Sequence, residues 1–171
     1  MAAGEAVYVA LGGNIEPERH LALALEALAA QFRIDALSGV YSTPAIGRPE
    51  QAPYLNAVAR FDCMLPPREL KYGVLRAIED DLGRLRCPDK FAARNIDIDL
   101  LLYGDRVIDE PGVEVPDADI PERPFLVRCL LDIDPDLELP GRGPLRNFVS
   151  AESEALTPLE TFVAEFRRWV T

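Results

Sequence analysis

Apolar segments in the order strand, helix, strand, strand, helix, strand predict an α+β domain of the split βαβ, ferredoxin-like kind, a sandwich with additional strands and helices at its C-terminal side. Three observations carry that expectation. Short runs rich in β-formers recur at 6–11, 34–41, 56–63 and 96–101. Two stretches with apolar residues three and four apart lie between them, and Gly, Pro or Asn punctuates most of the junctions. The order implies an antiparallel sheet with helices packed on one face. A chain of 171 residues, 49% hydrophobic, suffices for one well-buried domain and is short for two, so residues 1–171 read as a single domain.

Ala6 to Leu11 is a buried strand stopped by Gly12-Gly13-Asn14. Leu21, Leu25, Leu28 and Phe32, with Pro17 near the start, predict a helix of about four turns. Ile34 to Tyr41 reads as the second strand and runs into 42–49, where Pro44, Gly47 and Pro49 forbid regular structure. Tyr54-Leu55 opens a third strand, Asn56 to Cys63. Pro66-Pro67 precede a helix whose stripe is Leu70, Val74, Ile78 and Leu82, closed by Gly83 at a capping position. Residues 84–93 form a loop before the strand that begins at Ile96. Pro111, Gly112, Pro116 and Pro121 make 106–123 irregular, with short edge strands, and Pro124 to Leu131 is a short helix. Thr157-Pro158-Leu159-Glu160 matches a capping box and opens a final helix bearing Leu159, Phe162, Val163, Phe166 and Val170.

Charge narrows the function. A formal net charge of -11 argues against general affinity for nucleic acid or anionic membrane. Met1 to Gly13 has no basic region, and no apolar run reaches membrane-spanning length, so a cytoplasmic protein without signal peptide or transmembrane helix is expected. Cys63, Cys87 and Cys129 are odd in number and widely spaced, which fits reduced thiols. His20, the sole histidine, falls on an expected helix surface, which disfavours a Ser/His/Asp hydrolase. The common glycine-rich nucleotide loops are absent.

The chemistry concentrates between 84 and 101. Ile96, Ile98 and Leu100 alternate with Asp97 and Asp99, so a strand sends both carboxylates to one face. Their repulsion needs protonation, arginines or a hard divalent ion. Arg84, Arg86, Lys90 and Arg94 lie just upstream with one acid, Asp89, among them. A basic cluster beside paired carboxylates suits a polyphosphate carrying magnesium. A solvated strand face with surface ion pairs is the alternative. Tyr54 and Asn56 place a flat ring beside an amide, a receptor for a planar heterocycle or an ordinary strand aromatic.

Several separated stretches together resemble one family, the pyrophosphokinases that act on 6-hydroxymethyl-7,8-dihydropterin in folate biosynthesis. The strongest match is Lys90-Phe91-Ala92-Ala93-Arg94-Asn95-Ile96-Asp97-Ile98-Asp99-Leu100-Leu101. Ala10 to Asn14, Tyr41 to Pro44, Tyr54-Leu55-Asn56, Ile78-Glu79 and Leu82-Gly83-Arg84 are similar to other family landmarks in the right order. The resemblance implies transfer of the two terminal phosphates of ATP as one group to the pterin hydroxymethyl, with AMP released. It implies that Asp97 and Asp99 hold two magnesium ions and that Arg84 and Arg94 act on the transferred group. Glu79, Arg86, Lys90, Phe91, Leu100, Asp117 and Arg123 would serve the nucleotide. The pterin would lie between Tyr54 and Phe125, read by Asn56 and by Thr43, Pro44 and Ile46. Small-molecule substrates and a monomer are expected.

The chain departs from the family pattern at Asp117, which stands after Val115-Pro116 where a histidine is common, and at Gly112 and Glu114. Phe91 and Ala92-Ala93 also replace a tryptophan and a Gly-Pro. Those departures motivate a rival: a pterin- or nucleotide-binding relative with weakened catalysis. An Asp-x-Asp nucleotide-sugar transferase is disfavoured by the chain's size.

Overall fold

The computed structural model describes residues 4–170. β1 (Glu5–Gly13) is central, antiparallel to β4 (Tyr54–Cys63) on one side and to β5 (Asp97–Tyr103) on the other. β2 (Ile34–Leu37) and β3 (Tyr41–Thr43) both pair antiparallel with β4, giving the order β2-β4-β1-β5 with β3 beside β4. This is the antiparallel α+β sheet that the segment order predicts.

Helices cover both faces of the sheet, where the sequence suggested one. α1 (Pro17–Ala29) and the helix that follows β4 bury Leu21, Leu25, Leu28, Leu70 and Ile78 against Val7, Val9, Ile98 and Leu100. α4 (Pro124–Ile133) closes the other face with Leu126, Val127, Cys129 and Leu130 on Tyr8, Val58, Leu101 and Leu102. The physical reason lies in β1, whose Val7 to Leu11 are all buried, so both faces need a cover. Each fully buried leucine or valine of α4 contributes about 1.5–3 kcal/mol to holding it there.

The helix after β4 is continuous but not uniform: α2 (Pro67–Glu69), a π-helical stretch over Leu70–Leu75, then α3 (Arg76–Asp81). Leu70 and Leu75, five apart, are fully buried, while Val74 is only half-buried. The wider turn takes up one extra residue and keeps both leucines in the core. Gly83, at φ 82, ends the helix as expected, with its N–H on Asp80 O and the Arg84 N–H on Glu79 O, each at 3.0 Å.

Other expectations needed correction. The strand expected over 34–41 is broken, because Ser38 turns its hydroxyl onto the Val58 N–H at 2.8 Å and Val40 O accepts the Leu159 N–H at 2.9 Å. That contact takes the Leu159 N–H out of any helical turn with Thr157-Pro158, and α6 (Glu160–Phe166) starts one residue later. The side chains of Val163 and Phe166 lie outside the described residues. A capping box does occur, at Ser150 and Ser153 of α5 (Ala151–Ala155), a helix the apolar pattern did not suggest. His20 is buried, not on a surface, and its Nδ1 donates to Ile15 O at 2.7 Å. The 106–123 stretch, by contrast, has the short strands expected of it, paired as the hairpin β6 (Ile108–Glu110) and β7 (Val113–Val115). Among the described residues no helix is long and apolar enough to cross a membrane.

Candidate active site

Alternation on β5 does what the sequence implied up to Leu100: Ile96, Ile98 and Leu100 enter the helix-side core, and Asp97 and Asp99 face the opposite way. A bulge then intervenes, since Tyr8 opposes Leu102 and Val9 opposes Leu100, leaving Leu101 extra. Leu101 and Leu102 both join the α4-side core, so the acidic part of the face ends abruptly in an apolar floor.

The carboxylate pair stands where two recesses meet. One, of about 400 Å³, is lined by Thr43, Pro44, Ile46, Tyr54, Asn56 and Phe125 among others. The second, of about 460 Å³, is lined by Glu79, Arg84 and Arg86 and by Lys71, Tyr72 and Arg76. Lys90, Arg94, Asp97 and Asp99 border both. Thus the strand rim and α4 build one recess, and the π-helical stretch, α3 and the 84–95 loop build the other.

In the first recess the amide is already oriented. Asn56 is buried, and its Nδ2 donates to Thr43 Oγ1 at 2.8 Å and Tyr41 O at 3.3 Å. Its Oδ1 lies beside Gly12, where a Cβ would approach to 2.9 Å, so glycine is needed at this point of the floor. Phe91, Asp117 and Arg123 also line this recess, and Arg123 Nε is paired with Asp119 Oδ2 at 2.8 Å. The structure therefore brings Asp117 and Arg123 to the first recess and not to the second. Leu100 reaches neither, being packed in the core.

In the second recess the cations hold the acids. Arg94 Nη1 donates to Asp97 Oδ2 at 2.6 Å, and Arg84 Nε stands 3.6 Å from Asp97 Oδ1. Arg86 pairs with Asp80 and, at 2.6 Å, with Glu79 Oε2. Glu79 is buried, and its other oxygen accepts the Ile98 N–H at 2.7 Å. Burial raises its pKa, and Asp97 adds to this, against the Ile98 N–H and the arginines.

Among the described residues no arginine forms an ion pair with Asp99. Its carboxylate opens on the cleft yet is ringed by protein atoms, and burial first, then Asp97, Asp117 and Glu79, push it up to about 7. Lys71 acts the other way. Burial, Asp119 and Glu114 likewise raise Asp117, although its carboxylate accepts the Asp119 N–H at 2.8 Å. Among the described residues no group of three or more His, Cys, Asp or Glu forms a closed metal cage. Asp97, shared with Arg94 and Arg84, and Asp99 still present the hard oxygen donors that fit magnesium, a cation that keeps waters and takes substrate phosphates as ligands.

The sequence reading gave no role to Lys71, Tyr72 and Arg76. Their signal was the polar stripe of the helix, at spacings that share a face with Glu79. Tyr72 donates to Gly112 O at 2.9 Å, and Arg76 lies over its ring at 4.9 Å. A Cβ on Gly112 would meet the Tyr72 hydroxyl at 2.3 Å, so the glycine at this departure is required by the tyrosine.

An α+β domain whose carboxylate pair separates an aromatic-amide recess from a cationic one has the parts of a phosphoryl-transfer enzyme for a flat-ringed acceptor. Comparisons with known proteins narrow the class. The family model described as 7,8-dihydro-6-hydroxymethylpterin-pyrophosphokinase (HPPK) matches residues 8–135. A Pseudomonas aeruginosa protein named 2-amino-4-hydroxy-6-hydroxymethyldihydropteridine pyrophosphokinase is 36% identical over 148 residues, covering 85% of this chain and 90% of its own. An Aquifex aeolicus protein of the same name is 35% identical over 144 residues, covering 83% and 89%. The crystal structure of Plasmodium falciparum HPPK-DHPS with pteroate shares the fold, with a TM-score of 0.63 at 11% identity over 98% of this chain and 44% of that one. The chain belongs to the 7,8-dihydro-6-hydroxymethylpterin-pyrophosphokinase family.

Proposed function

We propose that this chain transfers a pyrophosphoryl group from ATP to 6-hydroxymethyl-7,8-dihydropterin, releasing AMP, as a step of folate biosynthesis. The observation that carries the proposal is the position of Asp97 and Asp99 between a recess suited to a planar heterocycle and one lined by arginines. The pterin hydroxyl oxygen forms a bond to the β-phosphorus, the bond from that phosphorus to the α-phosphate bridging oxygen breaks, AMP leaves, and the hydroxyl proton passes to solvent.

Tyr54 and Phe125 would sandwich the pterin, with Asn56 reading its edge through the amide oxygen that remains after Nδ2 is committed. Asp97 and Asp99 would hold magnesium, two ions in all. Bound there, the metal supplies charge neutralisation for the triphosphate and the attacking hydroxyl. Arg84, Arg86 and Arg94 would exchange their carboxylate partners for phosphate oxygens, which accept the same donors. Residues 1–171 are read as one domain, active as a monomer in the cytoplasm.

The rival reading, a binding relative with weakened catalysis, is not favoured by a family match over residues 8–135. Incubation with the pterin, ATP and magnesium decides the matter. AMP and the pterin diphosphate in equal amounts, lost on chelation, are expected. ADP as the nucleotide product, or no pterin-dependent AMP, would overturn the proposal.

A further inference from the structure

Asn14 sits in the turn between β1 and α1, outside both recesses, yet it is buried and its side chain bonds two separate segments, at Arg94 and at Gln51-Ala52. Its Oδ1 accepts the Arg94 N–H at 3.0 Å. Its Nδ2 donates to Gln51 Oε1 at 3.1 Å and to Ala52 O at 3.0 Å. The backbone N–H groups of Asn14 and Ile15 donate to Arg94 O at 3.0 and 3.2 Å. The amide orientation is forced, because a backbone N–H can only donate and a carbonyl can only accept. Gln51 extends the chain of contacts, its Nε2 donating to Phe91 O at 3.0 Å. Gly13 permits the close approach, since a Cβ there would lie 2.2 Å from Asn95 O.

Arg94 is thus gripped at both its N–H and its C=O by one turn, and this fixes the origin from which its guanidinium reaches Asp97. The same amide group holds the 44–53 loop, which carries Ile46 at the rim of the first recess. We infer that Asn14 is a positioning residue for the reaction: its oxygen sets Arg94 for the chemical step, and its nitrogen ties the pterin-side loop to that setting. The inference rests on the proposed pyrophosphoryl transfer for its rate consequences, but the grip on Arg94 can be read without turnover.

The two arms are separable by substitution. Asn14→Asp keeps an acceptor for Arg94 and loses the donor to Gln51 and Ala52. Asn14→Ala loses both, and Gln51→Leu cuts only the outer arm. A misplacement of about 1 Å in a catalytic group can cost about 10²-fold in rate. Asn14→Ala is therefore expected to slow single-turnover AMP formation by about that factor, with the KM for ATP changed less than about threefold. Asn14→Asp and Gln51→Leu should keep the chemical step within about threefold of the parent and raise the KM for the pterin.

Hydrogen exchange of the Arg94 amide, measured on the same proteins, should quicken in Asn14→Ala and stay slow in Gln51→Leu. An unchanged Arg94 amide in Asn14→Ala overturns the inference whether or not the protein turns over. So does an equal loss of single-turnover rate in Asn14→Ala and Gln51→Leu, which would mark a purely structural turn. Absence of AMP from the parent protein would instead sink the proposed function, and the exchange measurement would still decide on Asn14.

Discussion

The two recesses flanking Asp97 and Asp99 are held in opposite ways. The aromatic-amide recess is preset by neutral hydrogen bonds and sheet registry, with Asn56 fixed on Thr43 and Tyr41 before any ligand enters. The cationic recess is held by charge pairs among its own residues, Arg94 with Asp97 and Arg86 with Glu79 and Asp80. One side can receive a ring without rearranging. Under the proposed function the other would trade internal ion pairs for phosphate and metal, its arginines being counter-ions of the neighbouring carboxylates first and ligands of phosphate afterwards. Under that proposal specificity for the ring would depend on rigidity, and catalysis on exchange.

Removing the shared boundary should have the largest effect. Asp97→Ala and Asp99→Ala are each expected to lower magnesium-dependent turnover by about three powers of ten or more, because Lewis-acid charge stabilisation is worth several kcal/mol. Circular dichroism should show both folded, since neither side chain fills the core. Turnover near the parent level in either would break the assignment of the boundary.

Arg94→Ala tests exchange next. A positioned arginine beside a transferring phosphoryl group contributes about 10³-fold or more, so single-turnover rates should fall by that order while ATP affinity drops little. A loss confined to nucleotide binding would make Arg94 an anchor of the cationic recess only. On the preset side, Asn56→Ala should weaken pterin binding by about 5- to 150-fold with a smaller effect on the chemical step, as removing a buried hydrogen-bonding group costs about 1–3 kcal/mol. Calorimetric titration with the pterin would show it, and equal losses in pterin and ATP affinity would erase the distinction between the recesses.

The crowded acid gives a pH signature. Asp99 titrates near 3.8 in an unfolded chain and is pushed up to about 7 when folded, so the folded state holds its proton more tightly. Its ionised form destabilises the metal-free fold, a cost absent below about pH 4 and complete above about pH 7. Asp99→Asn should raise the metal-free Tm at pH 8 and leave it unchanged at pH 4, and magnesium should narrow the pH 8 difference. A Tm gain of the same size at both pH values would show that the crowding is not electrostatic. The smallest effect belongs to Asp117→His. Removing a carboxylate of about 1 kcal/mol repulsion at moderate distance should tighten a magnesium-loaded ATP analogue several-fold, more at low salt. Unchanged affinity would fit the position of Asp117 beside the aromatic-amide recess rather than the cationic one.

Legibility in the sequence followed the range of the interactions. The acidic strand was readable because a period of two is a local property, and Gly83 because a left-handed cap selects glycine within one turn of the helix. The break at Ser38 was not, since Val40 is paired with Leu159 from the far end of the chain. Nor was the burial of His20, which depends on a carbonyl five residues back in a turn that apolar spacing does not register. Around the site, the basic cluster and the Asp pair announced themselves by composition. Arg123 and Asp117 are assigned to the nucleotide by resemblance, and their place on the rim of the aromatic-amide recess, at the start of α4 and just past β7, comes from packing that the motif does not register. Leu100 holds the motif position with its side chain packed in the core.

The π-helical stretch between Leu70 and Leu75 also says which deletions this lineage can tolerate. Gly73 lies on its exposed side, with only the Glu69 side chain within 4 Å of where a Cβ would stand, so its loss would leave no hole in the core. Shortening the chain by one residue there would return the helix to 3.6 residues per turn and set Leu70 and Leu75 four apart, the spacing that shares one face of an α-helix. Both leucines would stay in the core, and only the residues of the wide turn itself would be re-aimed, Tyr72 with its bond to Gly112 O among them. A point substitution at the most expendable-looking residue of the helix is thus harmless, and its deletion would spare the core while re-aiming Lys71 and Tyr72 in the wall of the cleft: the extra residue is a spacer for the site and not for the fold.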